Sequence, residues 1–447
     1  MVGVRSEERL RVTDLVCETP VVEGRSIRLR YVAQAGDVTV HEFTETIELP
    51  GTLDQVPDAV QVPLLRLLSL AASLSYFKAF APTTIAVPGG LTEREREFLT
   101  GLLRHGMGEF AYVNDLPQVF DTPVVAPLLP ETASPSTPEQ TPGRFLVAVG
   151  GGKDSIVSIE ALRSAGLEIG LFAVNSYAPI IRTAEVAGIA LETVQRRLDP
   201  TLFQLNAEGA PNGHVPVTAV NSLLAILTAA ALGFDTVVFS NEASSSYGNV
   251  EWHGQLVNHQ WSKSLEFETL LRSCLPYGAP TYLSLLRPLT ELRIARRFAE
   301  LVDYHPVFTS CNRAFKLRED DRTSWCADCP KCRFVFLCLA PFVSREHLLG
   351  IFGGRDMFAD ESQLEGFREL LGLDGLLKPF ECVGEPDECR VALSLLREHP
   401  DWKDHPFLHR PELVGVSASA TERDTVFAFG EGAHHLPPLL EDIARAV

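Results

Sequence analysis

Apolar residues fall into two rhythms along this chain, and the change between them comes near residue 145. Before that point alternation is prominent. "SIRLRYVAQAGDVTVHEFTETIEL" (26–49) alternates apolar and polar positions on both sides of a Gly-Asp pair, which predicts two strands joined by a turn. "VQVPLLRLLSLAASLSYFKAF" (60–80) repeats apolar residues at spacings of three and four, the mark of a helix with a buried face. "TTIAVPGGLTEREREFLTGLLRHGMGEFAYVN" follows as strand, turn and helix, with Thr92 and Glu95 spaced for a capping box. Residues 1–125 therefore read as an α+β module.

The stretch "DTPVVAPLLPETASPSTPEQTPGR" (121–144) is rich in Pro, Ser and Thr and lacks a hydrophobic period. It predicts an exposed linker over 126–144 and the best domain boundary in the chain. Beyond it, short apolar runs without alternation take turns with helical patterns. "RFLVAV" reads as a strand, "SIVSIEALRSAG" as a helix, "EIGLFAVNS" as a strand and "TAEVAGIALE" as a helix. "PVTAVNSLLAILTAAALGF" and "DTVVFSNE" repeat the cycle. Strands that are apolar throughout suit a parallel sheet covered on both faces. Residues 145–340 are thus expected to form a doubly wound α/β domain, and 341–447 a mostly helical region.

Composition narrows the function. With 39 Lys and Arg against 58 Asp and Glu, the formal charge of −19 argues against a general nucleic-acid binder, which needs a basic face. The start of the chain is charged and has no apolar signal core, and no run of about 18 uninterrupted apolar residues occurs, so no membrane insertion is expected. Nine cysteines in a chain of this kind suggest a reducing cytoplasm, and metal binding or catalysis before disulfides.

Two stretches carry chemistry. In "VGGGKDS" an apolar strand meets Gly150, Gly151 and Gly152, and then Lys153, Asp154 and Ser155 open a helix. Backbone N–H groups in such a turn attract oxyanions, and glycines let a phosphate come close. Lys153 adds charge, Asp154 can hold a divalent cation and Ser155 offers a hydroxyl; the competing reading is that Asp154 and Ser155 merely cap the helix. The loop is neither G-x-x-x-x-G-K-[ST] nor G-x-G-x-x-G. The second stretch has Cys326, Cys329 and Cys332 in C-x-x-C-x-x-C spacing with Cys311 upstream. Four thiolates can hold one tetrahedral Zn²⁺, a reactive thiol can act in catalysis, and buried cysteines can be inert. Cys17, Cys274, Cys338, Cys382 and Cys389 read most simply as small apolar fillers.

Between them, residues 237–268 pack Asn241, Glu242, His253, His259 and Lys263 into one long polar segment after a strand end. Ligands bind at such strand ends in open α/β sheets. "SLLRPLTELRIARRFAEL" (284–301) supplies Arg287 and Arg293, whose forked donors suit phosphates or carboxylates.

The glycine loop resembles the S-G-G-x-D-S loop of the N-type ATP pyrophosphatases (the PP-loop, or adenine nucleotide α-hydrolase-like, superfamily), with Gly150 where that pattern has Ser. The resemblance implies ATP and Mg²⁺ as cofactors. Gly151, Gly152, Asp154 and Ser155 would hold phosphates, Asp154 would stand beside Mg²⁺, and Asn175 would meet adenosine. The cysteine stretch is similar to the zinc knuckle of 7-cyano-7-deazaguanine synthase in the same superfamily. Together "VGGGKDS", "SNEASSSYGN", "NHQWSKS", "RPLTELRIARRFAEL", "FTSCNRAF" and "WCADCPKCRFVFLCLAPF" resemble the ATP-dependent UDP-N-acetyl-α-D-muramoyl-L-alanyl-L-glutamate epimerases.

That resemblance implies inversion of the terminal L-Glu of UDP-MurNAc-L-Ala-L-Glu through carboxylate adenylation, with release of AMP and diphosphate, in cytoplasmic peptidoglycan synthesis. Nucleotide contacts would fall on residues 150–155, Asn175, Asn241, Glu242 and Arg287. The proton carriers would come from His253, His259, Lys263, Cys311 and Asp328, or the other cluster thiols. The alternative is another member of the superfamily that forms an amide, a nitrile or a thiolated product. The sequence does not set an oligomeric state.

Overall fold

The computed structural model describes residues 11–131, 143–315 and 324–447. The charged start of the chain (1–10) and the Pro-rich stretch from 132 to 142 lie outside them. One mixed sheet of eleven strands organises the molecule. Its N-terminal part comprises β1 (Asp14–Cys17), β2 (Val21–Glu23), β3 (Ser26–Ala35), β4 (Val38–Glu48), β5 (Thr84–Ala86) and β6 (Val124–Val125). Its second part comprises β7 (Arg144–Ala148), β8 (Glu168–Val174), β9 (Leu191–Arg197), β10 (Thr236–Phe239) and β13 (Thr281–Ser284). β11 (Val250–Trp252) and β12 (Gln255–Val257) form a separate hairpin.

Strands β13, β10, β7, β8 and β9 lie side by side in that order, every neighbouring pair parallel. Alternate residues of one strand enter different cores. Phe145 and Val147 of β7 face one cluster, and Leu146 faces the other. Both faces are covered, which explains why these strands read as continuous apolar runs. The first cluster packs α4 (Lys153–Ser164), α5 (Ala178–Ala187), α9 (Glu291–Ala299) and α10 (Pro330–Leu339) on the sheet. The second is dominated by α1 (Asp58–Phe77) and α7 (Val217–Leu232). α1 is long and apolar enough to cross a membrane by length and composition, but 78% of its most apolar window is buried within the fold.

The sheet does not stop at the expected linker. β9 pairs antiparallel with β4, so the N-terminal strands and the parallel strands share one surface. A buried ion pair crosses this joint: Arg196 Nε donates to Glu45 Oε1 at 2.6 Å, and Tyr76 Oη donates to Glu45 Oε2 at 3.1 Å. Removing one partner of such a pair costs about 3–5 kcal/mol, because the other charge is left buried. The helix expected over 183–192 ends earlier, because Gly188 takes a left-handed conformation that closes α5. Leu191 then opens β9, whose polar residues hid a strand from the hydrophobic pattern. The capping box at Thr92 and Glu95 is formed, and it starts α2 (Glu93–Gly101).

The remaining helices are α3 (Gly108–Asn114), α6 (Pro200–Ala207) and α8 (Leu265–Cys274), and then α11 (Arg345–Ile351), α12 (Leu364–Leu370), α13 (Pro386–Leu396), α14 (Pro411–Val414), α15 (Ala420–Phe427) and α16 (Pro438–Arg445). No strand occurs after β13 among the described residues. The C-terminal helices share the apolar cluster of α4 and α9, so this region packs against the same side of the sheet.

Candidate active site

A cavity of about 300 Å³ opens at the carboxyl ends of β7, β8 and β10, where residues 148–150, 172–174 and 239–242 line it. Open α/β sheets bind ligands at this edge, because loops leaving parallel strands diverge there.

One wall is a single piece of chain. β7 runs through Val149 into the three glycines, and α4 begins at Lys153 with Gly152 as its N-cap. No side chain caps the helix: Ser155 Oγ instead donates to Gly152 O at 3.0 Å. The capping alternative weighed for Asp154 and Ser155 is therefore not what forms, and the first-turn N–H groups remain able to meet an oxyanion. Gly151 has φ +78°, and a Cβ there would lie 3.1 Å from Pro179 Cβ. A Cβ on Gly152 would lie 2.9 Å from Ser310 Oγ, whereas one on Gly150 would meet nothing within 4 Å. Thr309 N donates to Gly151 O at 2.9 Å and fixes the loop from the side of the cysteine stretch.

Lys153 is almost fully buried, and its ammonium pairs with both Asp154 and Glu291, the latter in the first turn of α9. Burial alone would lower the lysine pKa, but the two carboxylates overcome this and hold it charged. Burial and the Asp154 charge push the Glu291 carboxyl well above its usual range. Lys153 therefore serves both carboxylates rather than standing free in the loop.

The opposite wall is assembled from distant segments. Lys263, in a short helical turn, donates from Nζ to Cys382 Sγ at 3.1 Å. His259 hydrogen-bonds to Cys382 through its side chain and pairs through Nδ1 with Glu109 of α3. His214 packs on His259 with ring centroids 4.5 Å apart. The loop carrying Cys382 is held from both sides. Asn249 Nδ2 donates to Pro379 O at 3.0 Å, and Asn312 Nδ2 donates to the Glu381 carboxylate at 2.8 and 2.9 Å.

Charge follows from this packing. Burial pushes the Cys382 thiol up, but the ammonium groups of Lys263 and Lys331 and the His259 hydrogen bond outweigh it and bring it down to about 6. Burial likewise lowers His259, but its bonds to Cys382 and Glu109 raise it to about 9. His214 falls to about 3 through burial and the charge of His259 beside it. At neutral pH this wall holds a thiolate, an imidazolium, an ammonium and a neutral imidazole.

The residues singled out in the sequence divide accordingly. Gly150, Gly152, Lys153, Asp154, Ser155, Asn241, Glu242 and Lys263 line the cavity. Gly151 shapes the loop, and His259 stands behind Cys382. Asn175, at φ +51°, spends its amide on the backbone of Arg196 at 2.8 and 2.9 Å and is not part of the lining. Arg287 is buried away from the cavity. It pairs with Glu268 at 3.0 Å and donates to Glu242 O at 2.9 Å and Lys263 O at 2.6 Å, so it positions lining residues from behind. Arg293 donates to Phe427 O and Arg445 O and ties down the C-terminal helices. His253 is exposed in the β11–β12 turn, and Asp328 is exposed beside Arg313; neither reaches the cavity.

Cys382 does not fit the reading of it as an apolar filler. Its lone neighbourhood in sequence, "CVGEPDEC", gives no sign of the cations that surround it in space. Glu109, Glu291 and Lys331 were also missed. Of these only Lys331, set between Cys329 and Cys332, carried a local signal.

Beneath the cavity, Cys311, Cys326, Cys329 and Cys332 bring four sulfurs within 4.8 Å of one another. Cys329 and Cys332 lie 3.5 Å apart, and Cys326 and Cys332 lie 3.7 Å apart. A tetrahedral Zn–S bond of about 2.3 Å sets neighbouring sulfurs about 3.8 Å apart, so the donor set fits that ion. Hydrogen bonds from Cys329 and Cys332 pull the Cys311 thiol far down, while the bond to Cys311, with burial, pushes Cys329 up to about 12. All nine cysteines are free.

An uncapped glycine loop facing a wall of Cys382 and cationic side chains, at the carboxyl edge of parallel strands, gives this mixed α/β protein a cavity whose chemistry suits an anionic ligand. The comparisons narrow this class. Residues 15–285 match the model of the MurL N-terminal domain, and residues 307–425 match that of the MurL C-terminal domain. Three relatives carry the name UDP-N-acetyl-alpha-D-muramoyl-L-alanyl-L-glutamate epimerase. The one from Micromonospora sp. is 48% identical over 89% of this chain and 89% of its own, and the one from Salinispora tropica is 49% identical over 81% and 80%. The one from Xanthomonas oryzae pv. oryzae is 39% identical over 94% and 96%. The chain belongs to this MurL epimerase family.

Proposed function

We propose that this protein inverts the terminal L-Glu of UDP-MurNAc-L-Ala-L-Glu to D-Glu by ATP-dependent adenylation, releasing AMP and diphosphate, as a cytoplasmic step of peptidoglycan synthesis. The observation that carries the ATP reading is the uncapped N-terminus of α4 behind an open glycine loop, in the same cavity as the Cys382–Lys263 pair. The strand order β13-β10-β7-β8-β9, with α4 and α5 on one face and α7 on the other, supports a doubly wound PP-loop domain.

The chemistry needs both walls. The α-proton of a carboxylate is hard to remove, because the resulting carbanion sits beside a negative charge. Adenylation removes that charge and makes the α-carbon more acidic, after which a base and an acid can act on opposite faces. Residues 150–155 would bind the phosphates by backbone N–H groups. Asp154 and Glu242 are the lining carboxylates that would hold Mg²⁺, which would supply charge neutralisation of the leaving diphosphate. The four cysteines would hold a structural Zn²⁺ that fixes residues 309–312 against the loop.

The test is to mix the protein with Mg-ATP and UDP-MurNAc-L-Ala-L-Glu, assay AMP and diphosphate, and determine the chirality of glutamate after hydrolysis. AMP with D-Glu is expected. ADP, or AMP with only L-Glu, overturns the reading, and the latter points to an amide-, nitrile- or thio-forming relative. One equivalent of zinc by elemental analysis, lost in Cys326→Ser, is expected of the cysteine cluster; a metal-free native protein overturns that part.

A further inference from the structure

We propose that Cys382 and Lys263 are the two proton carriers of the inversion, the thiolate removing the α-proton of the L-glutamyl residue and the ammonium returning one to the opposite face. This rests on the adenylation reading above.

The geometry points to this pair by position and by elimination. The two residues reach the cavity from separate segments of the thiolate wall, Lys263 from the turn after β12 and Cys382 from the loop before α13, and they touch at 3.1 Å. A substrate α-carbon that parts them has one group on each face. The other titratable groups lining the cavity are engaged, Lys331 by donating from Nζ to Asn312 Oδ1 at 3.1 Å. Asp154 and Glu291 share the Lys153 ammonium, and Glu242 accepts from Ser244 Oγ at 3.0 Å. His253 and Asp328 are exposed elsewhere, and Cys311 belongs to the four-sulfur cluster.

The groups facing Cys382 are cationic on nearly every side: Lys263 and His259 from the segment after β12, and Lys331 from α10. Glu381 on its own loop is held by Asn312. Behind them, Glu109 of α3 holds His259, and His214 is neutral. Such surroundings keep the thiol ionised at neutral pH, with its pKa near 6, and the same thiolate keeps Lys263 protonated. One group is a ready base and the other a ready acid.

The step balances without another reactant. The Cα–H bond breaks, an S–H bond forms, and the C–H electron pair moves into the acyl carbonyl to give an enolate. A Lys263 N–H bond then breaks as a new Cα–H bond forms on the other face and the carbonyl is restored. The thiol finally passes its proton to the Lys263 amine, and the thiolate–ammonium pair is regenerated.

The experiment runs the reaction in ²H₂O with wild type, Cys382→Ser and Lys263→Ala. It follows AMP, deuterium at Cα and D-Glu. Cys382→Ser is expected to release AMP while Cα exchange and D-Glu formation each fall by about 10²–10⁴-fold. Lys263→Ala is expected to lose D-Glu yet wash deuterium into L-Glu, most readily above neutral pH because the thiol has lost a cation. Retention of epimerisation within threefold in Cys382→Ser overturns the proposal, and so does loss of exchange together with inversion at all pH in Lys263→Ala. No AMP from wild type instead sinks the ATP reading. If a variant does not fold, the native protein still decides the matter: iodoacetamide labelling of Cys382, read by peptide mass, should rise with a midpoint near pH 6. A midpoint near 9 overturns the proposal.

Discussion

The two walls of the cavity are built in opposite ways. The glycine wall is eight consecutive residues, 148–155, whose working groups are backbone amides at the start of α4. The thiolate wall joins Glu109, His259, Lys263 and Cys382 from α3, the turn after β12 and the loop before α13, the last two residues lying 119 positions apart in sequence. A contiguous wall depends on local conformation. An assembled wall depends on the packing of the N-terminal strands, the parallel sheet and the C-terminal helices onto one another. If the walls have separate tasks, substitutions should separate the partial reactions.

The sharpest separation is expected from Asp154→Asn. Asp154 opens α4, lines the cavity and shares the Lys153 ammonium. Loss of its charge should lower AMP formation by about 10²–10³-fold, the size of losing one fixed electrostatic contact in a closed site. The measurement is AMP release in single turnover. Normal AMP release with defective inversion would move Asp154 to the other wall and erase the comparison.

Next in size is a pH effect on the scaffold under the thiolate wall. Glu388 of α13 is buried, and its Oε2 accepts from Leu292 N at 2.8 Å at the start of α9. Burial raises its pKa from 4.5 to about 7. The folded state thus holds a proton between those values that the unfolded state has lost, so stability falls as pH rises from 4.5 to 7 and levels off above. The total is about 3 kcal/mol for a shift of this size. Glu388→Gln keeps an acceptor and removes the ionisation, so its denaturation midpoint should lose this slope and exceed that of wild type at pH 8. A slope unchanged by the substitution would show that Glu388 is not its source.

What the sequence disclosed follows the same division. "VGGGKDS" was legible because a phosphate-type loop is a local object: an apolar strand, glycines for close approach, and a helix start. The C-x-x-C-x-x-C spacing was legible for the same reason, and the structure brings Cys311, which the sequence offers as a fourth thiolate, to its three sulfurs. Cys382 was not legible, because a cysteine is a filler or a thiolate according to which cations surround it, and those cations lie far away in sequence. Arg287 failed in the reverse direction. It looked like a phosphate ligand, but Glu268 and four backbone or hydroxyl acceptors claim its donors. β9 was hidden because its polar residues break the apolar run, and only pairing with β8 and β4 reveals it.

Glu109→Gln tests whether the N-terminal module takes part in the thiolate wall. The carboxylate favours the protonated form of His259, whose pKa is about 9. Without it that pKa falls, His259 holds the Cys382 thiolate less well, and the Cys382 pKa rises from about 6. The acid limb of the epimerisation profile should therefore move to higher pH. A shift of one unit costs about tenfold on that limb and little above it. A loss equal at every pH, with the limb unmoved, would reduce Glu109 to a structural contact.

The smallest expected effects lie within the glycine wall, and they show why Gly150 can stand where the resembled loop has Ser. A side chain at 151 meets two obstacles: its φ is +78°, and its Cβ would press on Pro179 Cβ at 3.1 Å and Ile180 N at 3.3 Å. Left-handed backbone alone costs a non-glycine residue about 1–2 kcal/mol. Gly151→Ala should therefore lower stability by at least that much, read as a denaturant midpoint. At 150 the φ is not in the left-handed region, and a Cβ meets nothing within 4 Å. Gly150→Ser should then change stability by less than about 0.5 kcal/mol. The glycine at 150 is thus not demanded by the fold of the loop, whereas the one at 151 is. A large loss in Gly150→Ser would mean that the open space beside it is needed by the folded chain itself, and the glycine wall would no longer be explained by backbone conformation and close contacts alone.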